Sequence, residues 1–226
     1  MIETDFLPLR IASLPDEGFT ESQAPSNIAL VKYWGKHGVQ KPKNPSLSFT
    51  LSNCVTHTRL YYAKKTNTAV EFDFQVYLDG KHKPQFEPKI EQFFELAQDY
   101  IPFIKDYGFK IETSNTFPHG SGIASSASGM CALSHCLVQL EAQAVQDMSV
   151  DYMEHKTSFL SRLGSGSACR SVRGPMMVWG SSGSVEGSND LYGTVFPYEL
   201  HASFQNFQDK KAYYLEVFLL KVHGYL

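Results

Sequence analysis

Residues 118–140 read PHGSGIASSASGMCALSHCLVQL. The first half is a run of small residues: Gly120, Ser121, Gly122, Ala124, Ser125, Ser126, Ala127, Ser128 and Gly129. The second half turns apolar at helical spacing, with Met130, Leu133 and Leu137 in one row and Cys136 and Leu140 beside it. A glycine-serine loop opening into a helix is a device for holding phosphate, because bare amides point at the anion and the positive end of the helix dipole favours it. Glycine lets the backbone come close, and serine hydroxyls add hydrogen bonds or hold a metal ion. No Gly-Lys-Ser/Thr follows the glycines, so this is not a Walker A loop. The competing reading is a surface loop before a buried helix with a serine N-cap. Two other stretches bear on that choice.

The chain around this loop has 226 residues, enough for one large domain. It is 42% hydrophobic and 13% aromatic, which argues for a substantial core and against disorder. A net charge of −3 implies no general affinity for nucleic acid or anionic membrane. Cys54, Cys131, Cys136 and Cys169 form no C-x-x-C pair and read as reduced thiols of a cytoplasmic protein. The eight histidines show no zinc spacing, so no protein metal ligand is expected. The opening MIETDFLPLR has early acids and no long apolar core, unlike a signal peptide. No run approaches the roughly 18 apolar residues of a membrane span.

Residues 1–24 read as a ragged arm or an edge strand. SNIALVKYWGK (26–36) predicts a strand from about Asn27 to Tyr33, ending in a basic patch of Lys32, Lys36, Lys41 and Lys43. SLSFTLS (46–52), THTRLYYA (56–63) and AVEFDFQVYL (69–78) predict three further strands, and Asp79-Gly80 a tight turn. The stripe Ile90, Phe93, Phe94, Ala97, Ile101, Ile104 predicts one helix from about Pro88 to Lys105. A strand over 108–115 leads into the glycine-serine loop, whose helix ends near Gln143; a second helix runs from Asp151 to Arg162 and stops at Gly164. GSGSACRS (164–171) reads as a second glycine-serine loop, followed by short strands at PMMVWG (175–180) and TVFPYEL (194–200), the latter interrupted by Pro197. The order is that of a mixed α+β layout rather than a regular doubly wound sheet.

Three stretches carry chemistry. The Lys-Tyr-Trp-Gly-Lys cluster sets two ammonium groups and two amphipathic rings beside a glycine; solvated lysines at a strand end are the plain alternative. The glycine-serine loop is the second. GSGSACRS is the third, with one arginine among small donors; arginine grips phosphate bidentately, and an ordinary helix-to-strand loop is the plain alternative. Two small-residue cradles and several cations on a mildly acidic chain suit two polyphosphate ligands better than one.

The loop Pro118-x-x-x-Gly122-Ile123-Ala124-Ser125-Ser126-Ala127-Ser128 resembles the signature of the GHMP kinase superfamily, with Ile123 where leucine is common. ALVKYWGK (29–36), PSLSFTL (45–51) and LGSGSACRS (163–171), in that order, are narrower and resemble the diphosphomevalonate decarboxylase family, from about Pro25 to Asp209. The resemblance implies an α+β, GHMP kinase-like fold, with an N-terminal domain like the second domain of ribosomal protein S5. It implies ATP-dependent decarboxylation of 5-diphosphomevalonate to isopentenyl diphosphate, with ATP and Mg2+ as cofactors and a homodimer as the common assembly. It places Tyr33, Trp34, Gly35 and Lys36, with Ser165, Gly166, Ser167, Ala168, Cys169 and Arg170, around the substrate. Lys32, Ser126 and Arg170 take catalytic roles, Arg170 by holding the substrate's carboxylate and developing charge. Asn27 is implied as a group orienting Lys32. Pro118, Gly120, Gly122, Ser125, Ser126 and Ser128 hold the ATP phosphates, with Ser126 at the γ-phosphate or the magnesium ion.

The resemblance also implies a second half carrying an aspartate that meets the substrate's tertiary hydroxyl. Residues 210–226, KKAYYLEVFLLKVHGYL, are unlike the family. A reading-frame shift or truncated gene product is expected there, an intact diverged short protein being the alternative. YYLEVFLL (213–220) either mimics a missing strand or is sticky surface. Residues 1–200 are then the ATP- and substrate-binding domain, and 201–226 the start of a truncated C-terminal domain. Two other functions stay open: a GHMP small-molecule kinase that does not decarboxylate, and an inactive or nucleotide-binding-only fragment.

Overall fold

A computed structural model describes residues 1–8, 13–66, 69–120, 122–145, 147–172 and 174–198. In chain order the elements are β1 (Glu17–Val31), β2 (Lys36–His37), β3 (Lys41–Pro42), β4 (Ser46–Lys64), β5 (Asp73–Leu78), β6 (Lys81–His82), α1 (Glu87–Ala97), β7 (Tyr107–Asn115), α2 (Ser125–Ala142), α3 (Val150–Gly164), β8 (Met176–Trp179) and β9 (Thr194–Val195). Single turns of 3-10 helix cover Glu3–Phe6, Pro84–Phe86, Pro102–Lys105 and Gly166–Arg170.

β4 is the axis of the sheet. On one side β1 runs antiparallel along it, from Glu17 opposite Ala63 to Val31 opposite Leu47. On the other side two strands share it end to end, β8 against Ser46–Phe49 and β7 against Thr56–Lys64. β5 joins β7 in parallel, as a crossover through α1 requires. The order is β6-β5-β7-β4-β8-β9, with β1 on the free flank of β4. Near the changeover from β8 to β7, Ile123 from the glycine-serine loop packs with Phe49, Leu51, Phe117 and Met176.

Alternation along β4 shows which face is covered. Thr56, Thr58, Leu60 and Tyr62 are buried, whereas His57 and Arg59 are exposed. α2 lies on the buried face: Thr20 Oγ1 donates to the Cys136 carbonyl at 3.0 Å, and the Thr56 and Ser128 hydroxyls share a bond of 2.6 Å. α3 packs on α2, and α1 on α3 and β5. Between α2 and α3, Lys156 Nζ meets Glu141 Oε1 at 2.6 Å with both side chains fully buried. The four cysteines are free, and no helix among the described residues is long and apolar enough to cross a membrane.

The α+β layout is as predicted, with several boundaries corrected. The two strands expected at 46–52 and 56–63 are one, because no glycine or proline interrupts 51–55; Ser26 pairs with Leu51 and Pro25 with Val55, so residues 52–54 bulge out of β4 while β1 pairs on both sides of them. β1 starts ten residues before the expected Asn27. The helix expected over 88–105 is α1 followed by a 3-10 turn: Pro102 has no amide to donate, and Ile101 before it leaves the helical region at φ −140° and ψ 65°. The apolar stripe stays buried from Phe93 to Ile104, with Ile90 partly buried at its start. The strand expected over 69–78 covers only Asp73–Leu78, since the carbonyls of Val70 and Glu71 accept Lys65 Nζ instead of a ladder partner. Asp79 and Gly80 both adopt positive φ (51° and 73°), the geometry of the expected tight turn between β5 and β6. The arm at the N-terminus is anchored by Phe6, fully buried and stacked 4.3 Å from Phe159. Residues 199–226, with the tail discussed above, lie outside the described residues.

One packing contact has a pH signature. His135 on α2 shares a 2.8 Å hydrogen bond with Ser22 on β1, and burial lowers its pKa below the ordinary 6.5, against a weaker upward pull from Glu154. The unfolded chain takes up a proton that folded His135 refuses, so stability falls as pH drops through 6.5 toward the folded pKa. For one proton the slope cannot exceed about 1.4 kcal/mol per pH unit. Urea midpoints at pH 7 and pH 5.5 are expected to differ less in His135→Gln than in the unaltered protein.

Candidate active site

Arg170 is the group on which the other motifs converge. It ends the 3-10 turn Gly166–Arg170 and is 2% exposed. Its Nη1 donates to Ser46 Oγ, and its Nη2 lies 3.4 Å from Asn27 Oδ1. Its Nε is buried with no hydrogen-bond partner among the described residues. Burial lowers the guanidinium's pKa, although Cys169 and Tyr33 pull it upward. Asn27 is fixed from below, its Nδ2 donating to Ser171 Oγ at 2.8 Å and to the Ser167 carbonyl at 3.2 Å. Ser46 Oγ is fixed by its own donation to the Val31 carbonyl at 2.7 Å. The result is a rigid cation with an unused N–H.

Trp179 forms the wall. It is fully buried, with Nε1 donating to the Asp190 carbonyl at 3.0 Å. Arg170 sits 6.0 Å from its ring, and Tyr33 meets it edge-on at 5.0 Å. A methyl group at Gly166 would meet Trp179 Cη2 at 2.7 Å and Lys36 Cε at 3.1 Å, so only glycine fits there. Lys36 lies 5.7 Å from the Tyr33 ring, and Gln40 accepts its ammonium. Burial, then repulsion from Lys89, lower the pKa of Lys36. Gly35, at φ 99°, turns the chain toward Lys43, whose amide donates to the Gly35 carbonyl at 3.1 Å. Asn44 staples the 32–34 turn: Oδ1 accepts Trp34 N at 2.6 Å and Nδ2 donates to the Lys32 carbonyl at 3.1 Å.

The glycine-serine loop approaches from the other side of β1. At the register shift two consecutive residues are both buried: Ser26 Oγ donates to the Ile123 carbonyl, and Asn27 turns to the Arg170 cradle. One strand position therefore couples loop and cradle. Gly120, Gly122 and Ala124 all have φ near 60–80° (80°, 79° and 60°), and no side chain caps α2. The serine N-cap of the competing reading is thus absent, which suits an anion at the helix start. Beside it lies a cavity of about 220 Å³ with apolar walls from Val76, Leu78, Phe86, Ile90, Ile111 and Leu133 and polar groups from Ser125, Ser126, Lys89 and His119. A larger trough of about 650 Å³ on the open face of the sheet contains none of the motif residues. Among the described residues no three His, Cys, Asp or Glu side chains gather in a way that could hold a metal.

The structure brings Tyr33, Lys36, Gly166 and Arg170 together, and leaves Ser165 and Ser167 partly exposed beside them. Ser125 and Ser126 stand at the cavity, with Pro118 and Gly120 exposed on the approach and Gly122 exposed at the turn. Four expectations need correction. Ser128 is fully buried and spends its hydroxyl on Thr56 and the Ser125 carbonyl, joining α2 to the sheet rather than facing phosphate. Ala168 and Cys169 are fully buried, so their side chains build the core beneath the cradle rather than its surface. The Trp34 ring is 79% exposed; the indole against Arg170 is that of Trp179. Asn27 orients Arg170, not Lys32, which is exposed and tied in through its carbonyl. GSGSACRS is a 3-10 turn, with Ala168 N bonded to the Ser165 carbonyl at 2.7 Å. Sequence reasoning missed Trp179, Ser46, Asn44, Ser171 and Lys89. Ser46 and Ser171 carried a signal, standing inside PSLSFTL and LGSGSACRS.

Comparison with known proteins identifies the family. The sequence model of the diphosphomevalonate decarboxylase-like N-terminal domain matches residues 24–190. The diphosphomevalonate decarboxylase of Gibberella zeae is 34% identical over 186 residues, covering 77% of this chain and 46% of the relative. That of Ganoderma lucidum is 31% identical over 207 residues, covering 84% of this chain and 49% of the relative. Among solved structures, mevalonate diphosphate decarboxylase from Staphylococcus aureus superposes with a TM-score of 0.63 at 28% identity, over 82% of this chain and 51% of that one. The Enterococcus faecalis enzyme, described in terms of mevalonate diphosphate-mediated ATP binding, gives a TM-score of 0.61 at 29% identity, over 79% of this chain and 51% of that one. This chain thus spans about half the length of the curated relatives it matches. With the family's sequence pattern matched over 24–190 and its fold reproduced around Arg170, the chain belongs to the diphosphomevalonate decarboxylase family, whose N-terminal domain it carries.

Proposed function

We propose that this chain binds 5-diphosphomevalonate against Arg170, Tyr33 and Lys36, binds ATP at the loop 118–128, and contributes these groups to ATP-dependent decarboxylation. The observation that carries the reading is the buried, pre-oriented Arg170 with an unused Nε, at the meeting point of three separate motifs. A buried guanidinium held by neutral oxygens is a costly arrangement unless an anion completes it. The apolar cavity beside the uncapped start of α2 suits a nucleobase, with triphosphate lying along Gly120–Ser126. Magnesium fits as an ion carried on the triphosphate and met by the Ser125 or Ser126 hydroxyl, since no carboxylate cluster is available among the described residues.

In the proposed reaction the tertiary hydroxyl gives up its proton to solvent as its oxygen bonds the γ-phosphorus of ATP and ADP leaves. The C–C bond to the carboxylate then breaks, releasing CO2, and its electron pair forms the new C=C bond as phosphate departs. A tertiary hydroxide is a poor leaving group and phosphate a good one. The protein's part is positioning and charge neutralisation, for which Arg170 and Lys36 are the cations in place. A second reading is binding of both ligands without turnover.

The test pairs thermal shift with CO2 release in the presence of Mg-ATP and 5-diphosphomevalonate. Stabilisation with CO2 supports the full proposal. Stabilisation without CO2 supports the binding reading, ADP without CO2 points to a kinase, and no shift with either ligand rejects the site.

A further inference from the structure

Arg162 belongs to none of the ligand-facing groups above, and its surroundings are unusual. It lies on α3 with 0% exposure, 5.0 Å from the Phe159 ring. Its Nε donates to the Leu191 carbonyl at 2.7 Å and its Nη1 to the Val39 carbonyl, while Nη2 is buried without a partner. Among the described residues no carboxylate lies within ion-pair distance of it. For stability alone, an apolar side chain of similar volume serves as well as or better than such a charge. A guanidinium can reach two carbonyls on separate segments at once, and a lysine cannot do so with the same fork.

The two carbonyls belong to the two segments that flank the cradle. Val39 is at the tip of the β2–β3 hairpin, whose first strand carries Lys36. Leu191 follows Asp190, whose carbonyl holds Trp179 Nε1 and whose carboxylate stands 3.8 Å from His37 on the same hairpin. Lys41, on the other hairpin strand, pairs with Glu3 at 3.5 Å.

We propose that Arg162 is a positioning residue of the cradle, clamping the β2–β3 hairpin to the 189–193 segment so that Lys36 stays opposite Gly166 and Arg170. The proposal rests on reading Lys36 as a ligand-facing cation. It is tested on the full chain with Arg162→Leu, Lys36→Ala and the double variant, titrating 5-diphosphomevalonate by calorimetry. Arg162→Leu is expected to weaken binding about 10-fold in the unaltered background and less than about 2-fold in Lys36→Ala, the signature of coupled neighbours. Equal weakening in both backgrounds would mark a merely structural role and overturn the proposal. Arg162→Lys, which keeps charge and bulk but not the double reach, is expected to show the same pattern and serves if Arg162→Leu does not fold.

A second arm needs no ligand and separates this proposal from the assignment of the site. Amide hydrogen exchange of residues 36–43 is expected to accelerate at least 10-fold in the Arg162 variants while α2 keeps its protection. Unchanged hairpin exchange would overturn the clamp even if the ligand binds. If the unaltered protein binds no diphosphomevalonate, the functional reading fails, and faster hairpin exchange still supports the clamp.

Discussion

Replacing Arg170 with methionine is expected to weaken 5-diphosphomevalonate binding at least about 100-fold, while leaving the melting temperature of the free protein unchanged or raised. The two halves of this result have separate causes. A charge-assisted bond from a desolvated guanidinium to an anion is worth about 2–3 kcal/mol, and truncating a buried charged contact costs about 2–5 kcal/mol of affinity. A loss of about 2.8 kcal/mol, within that range, gives 100-fold. Stability responds differently, because Arg170 is desolvated against neutral partners that keep other bonds. Ser46 Oγ still donates to Val31, and Asn27 still donates to Ser167 and Ser171. Removing the charge relieves its burial cost, and against that gain Asn27 Oδ1 loses only a long 3.4 Å bond. Calorimetric titration and thermal melts on the same preparation check both halves. A variant that binds normally, or that loses ligand only because it has unfolded, would contradict the assignment.

The opposite balance is expected at Lys156. This lysine meets Glu141 at 2.6 Å with both side chains at 0% exposure, bridging α2 and α3. Burial lowers the Lys156 pKa and Glu141 opposes that shift, so the pair holds its charge by mutual attraction. Lys156→Met leaves a carboxylate in the core, and breaking such a pair costs about 3–5 kcal/mol. That is a large part of the roughly 5–15 kcal/mol by which a typical domain is stable. Chemical denaturation is expected to show the loss, and Lys156→Met with Glu141→Leu is expected to recover most of it. A single variant as stable as the unaltered protein would show that the pair contributes little. Because α2 also presents Ser125 and Ser126 to the cavity, the single variant should lose ATP affinity only to the extent that it unfolds.

Comparison of sequence and structure separates what local pattern encodes from what only packing decides. The turn at Asp79-Gly80, the strand before the glycine-serine loop and the two long helices were legible because each depends on residues near in sequence. The length of β4 was not, since residues 52–54 bulge within it while β1, a different segment, pairs on both sides of the bulge. The site shows the same division. Motif residues announced two anion cradles, but the direction of each side chain depends on distant partners. Ser128 looked like another loop serine, and Thr56 turns it inward. Trp34 looked like the pocket indole, and Trp179, read only as part of a short strand, fills that place. Arg162 gave no signal at all, because its meaning lies in two carbonyls contributed by segments before and after it.

Whether the three motifs form one two-ligand site is decided by amide hydrogen exchange of the full chain, measured with Mg-ATP, with 5-diphosphomevalonate, and with both. ATP is expected to slow exchange across 120–128, and diphosphomevalonate across 32–36 and 165–170. Arg170→Met is expected to abolish only the second footprint. Protection confined to the open face of the sheet around His57 and Arg59, or no protection from either ligand, would rule out a shared site.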